Sequence, residues 1–67
     1  MKIPILKKLK IEKDIRKLNA NFDPEAFKEL FRKIYRLHFI VLTSEIEAWL
    51  NELNNQENLP IISGILS

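Results

Sequence analysis

Apolar residues recur at helical spacing through most of this chain, and the sharpest case opens at Phe22, Asp23 and Pro24. Asp23 is suited to accept a bond from a free N–H of a first helical turn, and Pro24 fits the first helical position. Phe22 and Phe27 take the two positions of a hydrophobic staple. On a wheel of about 100° per residue, Ala26, Phe27, Leu30, Phe31, Ile34, Leu37, His38 and Val41 form one stripe. Lys28, Glu29, Arg32, Lys33 and Arg36 lie opposite.

Beyond Leu37 the pattern loses its one-sidedness, because Phe39 and Ile40 fall on the polar side of the same wheel. Residues 37–42 would then be apolar all round, and so short a chain has few elements to surround them. This stretch is expected to be a subunit interface. A second helix start follows at Thr43, with Ser44 as the expected cap and Glu47 completing a capping box. Ile46, Trp49, Leu50 and Leu53 make a new stripe, turned by roughly 100° from the preceding one. Either the chain turns near Thr43, the arrangement we favour, or one helix about 45 Å long spans residues 24–54 and rotates its apolar face midway. No Gly or Pro between Glu25 and Leu59 forbids the second.

The N-terminal segment fits one straight amphipathic helix poorly. Ile5, Leu6 and Leu9 lie on one side of the wheel, whereas Ile11, Ile15 and Leu18 lie on another. A helix over residues 11–19 is predicted, with residues 2–10 a separate turn or extended; Ile3, Ile5, Leu9 and Ile11 alternate as in a strand. Asn19, Ala20 and Asn21 read as the loop before the next helix. At the other end, residues 54–58 close the last helix. Residues 59–67 form an apolar tail that would close over the core, dock in a partner's groove or add a strand, since Pro60 and Gly64 disfavour a regular helix throughout.

These elements describe an all-α protein, a two- to three-helix bundle or helical hairpin completed by self-association. It is a single domain over residues 1–67, with 1–10 and 56–67 as irregular or extended arms. At 67 residues the chain is near the lower limit for an unaided core, and with no cysteine it has no disulfide or thiolate metal site to help. No window approaches the roughly 18 to 20 apolar residues of a membrane span. Lys7, Lys8 and Lys10 interrupt the apolar start before a signal segment could form, so a cytoplasmic protein is expected.

Charge is segregated along the chain. All eleven Lys and Arg fall within residues 1–36 beside five acids, a net of +6, while residues 37–67 hold Glu45, Glu47, Glu52 and Glu57 and no cation.

Catalytic chemistry has little to work with. His38 is the single histidine and sits on the apolar stripe, where a partly buried ring with a local hydrogen bond is the simplest expectation. Ser44, Ser63 and Ser67 lack a nucleophile-elbow setting, and one glycine cannot build a phosphate loop. Glu45, Glu47 and Glu52 read as a solvated edge with favourable first-turn charge. No enzyme activity, cofactor or metal is expected.

The expected function is binding to a protein partner, as a regulator, adaptor or assembly factor, with self-association. The expected interface is Leu37, Phe39, Ile40, Leu42, Ile46, Trp49, Leu50, Leu53, Ile61 and Ile62, with Tyr35 a further aromatic anchor. An alternative is nucleic-acid binding through residues 7–17 and 28–36. Lys7, Lys8, Lys10, Lys13, Arg16, Lys17, Arg32, Lys33 and Arg36 would then meet phosphates, with Lys28 beside them. Interspersed Glu12, Asp14, Glu25 and Glu29 count against it, and attachment to a membrane surface ranks third, since the split stripe of residues 5–18 offers no coherent apolar face.

Overall fold

Four helices and no strand make up residues 3–66, the part of the chain that the computed structural model describes. They are α1 (Ile5–Ala20), α2 (Pro24–Leu37), α3 (Thr43–Glu57) and α4 (Ile61–Leu66). The protein is an all-α helical bundle.

Helix α1 begins earlier than residue 11. Pro4 has a fixed φ suited to the residue before a helix, its carbonyl accepts from the Lys8 N–H at 2.9 Å, and the Lys, Leu and Ile residues that follow sustain helix. Only Ile11, Ile15 and Leu18 are buried, the stripe expected of the shorter helix. Ile5, Leu6 and Leu9 are helical, neither a separate turn nor extended, and they stay exposed, because an apolar side chain on a helix need not share its buried face.

Helix α2 starts as its sequence requires. Asp23 Oδ1 accepts from the Glu25 N–H at 3.0 Å, Pro24 opens the first turn, and the Phe22 and Phe27 ring centroids are 5.6 Å apart. The helix stops at Leu37 and tightens into i→i−3 bonds, from His38 to Tyr35, Phe39 to Arg36 and Ile40 to Leu37. Buried Val41 anchors this turn, and the ring of His38 bonds Thr43 Oγ1 at 2.9 Å across it. The chain therefore turns, and the single 45 Å helix does not form. The two apolar stripes differ in phase because they belong to two helices.

Two details of the join differ from expectation. Helix α3 begins at Thr43 after extended Leu42, so Ser44 lies inside the first turn and caps nothing, and Glu45 supplies the first-turn carboxylate. His38 is exposed because its helix ends just before it, although its local hydrogen bond is present.

The tail is helical where an irregular arm was expected. Asn58 ends α3 in the left-handed conformation at φ 53°, and Asn54 Oδ1 accepts from the Leu59 N–H at 2.8 Å, turning the chain back. Pro60 precedes α4 and so breaks no helical hydrogen bond, while Gly64 is exposed, with open space around the position a Cβ would take. Leu59, Ile62 and Ile65 enter the core.

One cluster of fourteen buried apolar residues joins all four helices, and Ile15, Leu50 and Ile62, from three of them, are fully enclosed. Substitution Ile62→Ala should cost about 2–5 kcal/mol, as for other fully buried aliphatic residues, and lower the urea midpoint accordingly. An unchanged midpoint would mean that the tail is not part of the core.

Candidate functional site

Three polar contacts set the directions of the helices. Lys33 Nζ on α2 meets Asp14 Oδ2 on α1 at 3.0 Å, and Lys7, Lys10 and Ile11 line one groove with Lys33, Arg36 and Leu37. These helices are antiparallel. Trp49 Nε1–H donates to Glu12 Oε2 at 2.7 Å, and Arg16 donates through Nε and Nη2 to the two carboxylate oxygens of Glu57, each at 2.7 Å. Helices α1 and α3 therefore run parallel. The start of α1, the α2–α3 turn and the start of α3 lie at one end of the molecule.

That end is where most of the uncovered apolar surface is found. Nine large apolar side chains are exposed, and six of them, Ile5, Leu6, Leu9, Phe39, Ile40 and Leu42, belong to these segments. Phe39 is 77% exposed, Leu6 72% and Leu42 66%. Single exposed apolar residues are ordinary; six on neighbouring segments are less so. Along α2, Phe27 and Phe31 are 6.4 Å apart, and at its end Tyr35 meets Phe39 edge-on at 5.9 Å.

Most residues expected at the interface belong instead to the interior. Leu37, Ile46, Trp49, Leu50, Leu53 and Ile62 are buried in this chain's own core, and Ile61 packs on it partly buried. The reason is α4: by folding back it supplies the apolar surface that self-association was expected to provide. Phe39, Ile40 and Leu42 stay exposed. The end also includes Ile5, Leu6 and Leu9, which spacing alone did not relate to residues 39–42 because only the antiparallel pairing of α1 and α2 puts both at one end.

The cations divide into two sets. Arg16 is held by Glu57, Lys33 by Asp14 and Arg32 by Glu29. Lys7, Lys8, Lys10, Lys13, Lys17, Lys28 and Arg36 form no ion pair among the described residues. Lys7, Lys10, Lys33 and Arg36 converge over a groove of about 280 Å³ floored by Ile11 and Leu37. Further along the same helices, Asp14, Asp23 and Glu29 line the neighbouring hollow with Lys17 and Lys33. Of the carboxylates at the apolar end, Glu45 and Glu47 have no ion pair among the described residues.

The two-pronged bond from Arg16 holds the Glu57 carboxyl below its ordinary value, against the opposing effect of partial desolvation. No helix among the described residues is long and apolar enough to cross a membrane. Comparison with family models, with curated proteins and with solved structures finds no match to this chain.

A group whose carboxyl is depressed on folding stabilises the fold above its unfolded value, here near 4.5, and that contribution disappears as pH falls through the lower folded value. The stability difference between the protein and its Glu57→Gln variant should thus be constant near neutrality and shrink below about pH 4.5. Urea melts across that range test it. A difference independent of pH would remove Glu57 from the acid response.

Proposed function

We propose that this chain is a non-enzymatic interaction module of the regulator, adaptor or assembly-factor kind, acting in the cytoplasm as a homodimer. The observation that carries the reading is the gathering of Ile5, Leu6, Leu9, Phe39, Ile40 and Leu42, all exposed, at one end of a bundle whose core is otherwise closed. Burying such residues against a partner is favourable by about 25 cal/mol per Å² of apolar surface before the costs of association.

A second copy is the occupant that the charges favour. At the same end Lys7, Lys10 and Arg36, and Glu45 and Glu47, form no ion pair among the described residues, so its rim carries both signs of charge, as pairing with a second copy requires. With a net charge of only +2, two copies repel weakly. A partner selected by one sign of charge would be opposed by the other.

Contact with nucleic-acid phosphates has less support. Arg16, Arg32 and Lys33 are occupied by carboxylates within the chain, and Asp14, Asp23 and Glu29 interrupt the path between α1 and α2 that a backbone would follow.

Size-exclusion chromatography with light scattering distinguishes a dimer from the 8.0 kDa monomer. The wild-type chain should be dimeric and dissociate on dilution, and Phe39→Glu combined with Leu42→Glu should give a monomer with unchanged helical circular dichroism. A wild-type chain that stays monomeric at its highest attainable concentration would refute self-association through this end.

A further inference from the structure

The groove between α1 and α2 is a second feature, which lies beside the apolar end and shares Lys7, Lys10 and Arg36 with its rim. Lys7 and Lys10 are one turn apart on α1, Lys33 and Arg36 one turn apart on α2, and the antiparallel pairing brings these four cations together over Ile11 and Leu37. Residues from opposite ends of the basic half meet here only because the chain folds. Three of the four form no ion pair among the described residues, and the fourth, Lys33, meets Asp14.

Cations that line one groove offer several donors to a single anion. We infer that this groove is a binding site for a compact phosphate-bearing ligand. Phosphate suits it because its several oxygens can accept from Lys7, Lys10 and Arg36 together, and the arginine fork presents paired donors to such oxygens. The ligand is compact because the groove changes sign: past Lys33 the same two helices present Asp14, Asp23 and Glu29, which would repel the next phosphate of an extended polyanion. A volume of about 280 Å³ fits one or two phosphoryl groups with a small apolar part against Ile11 and Leu37.

The test uses inorganic pyrophosphate, titrated at low ionic strength into the full isotope-labelled chain, with backbone amide shifts followed by NMR. Saturable shifts should centre on residues 7–11 and 33–37 and weaken with added salt. Lys10→Gln with Arg36→Gln, both at exposed positions, should weaken binding by about tenfold or more. Lys28→Gln, outside the groove, should leave it unchanged. The Phe39→Glu, Leu42→Glu variant, whose cations are intact, should still bind, so loss of self-association and loss of the site are read apart.

A second arm identifies the source of the phosphate. Retention on vesicles containing phosphatidic acid but not on phosphatidylcholine alone, lost in the Lys10→Gln, Arg36→Gln variant, assigns a lipid headgroup; pyrophosphate binding without retention assigns a soluble phosphate. Absence of saturable shifts, shifts equally strong at Lys13, Lys17 and Lys28, or undiminished affinity in the double variant would overturn the site.

Discussion

The return of residues 59–66 onto the other three helices is the constraint on which this structure depends. A three-helix chain of this length would leave one face of α1 and α3 open, and it has neither disulfide nor thiolate metal site to compensate. Leu59, Ile62 and Ile65 close that face. The device behind this closure is small: Asn58 takes the left-handed conformation, which asparagine tolerates better than most residues, and Asn54 satisfies the Leu59 N–H that the turn would otherwise leave without a partner.

With the core closed, polar contacts are left to orient the helices more than to hold them. Glu12, nearly buried, accepts from the Trp49 indole and lies 3.7 Å from Arg16, which in turn grips Glu57. The indole is the one polar group that α3 brings into the core stripe, and its bond to Glu12 removes the desolvation cost it would otherwise incur. Surface ion pairs such as Lys33 with Asp14 contribute little energy, yet they favour one register of α1 against α2 over its neighbours. The charge segregation along the chain serves this arrangement: α3, which has no cation, supplies Glu57 to the basic α1.

How far the sequence could be read follows from which signals are local. The start of α2 was legible because cap, proline and staple act within five residues. The stripes at Ile11, Ile15, Leu18 and at Ile46, Trp49, Leu50, Leu53 were legible because periodicity needs no tertiary information. The helical nature of the tail was not, since Pro60 and Gly64 read as breakers until one sees that the first precedes the helix and the second faces solvent. Leu50 and Phe39 were assigned to the same interface for a related reason. A wheel reports that a residue is apolar and not what covers it, and the element that covers Leu50 lies near the far end of the chain.

Once the tail is counted as core, the meaning of the remaining apolar residues changes. Before closure, an exposed Leu or Ile in so short a chain could be attributed to a core too small to take it in. After closure, fourteen residues are buried, and the exposed ones are concentrated where three segments meet instead of being spread around the bundle. Helix propensity extends α1 through Ile5, Leu6 and Leu9, which stay largely exposed, and the backbone bonds of the α2–α3 turn do not involve its exposed apolar side chains. In the turn it is Val41 that enters the core, and Phe39, Ile40 and Leu42 do not. The presence of both sets at the same end is therefore a property of the surface and not of the core.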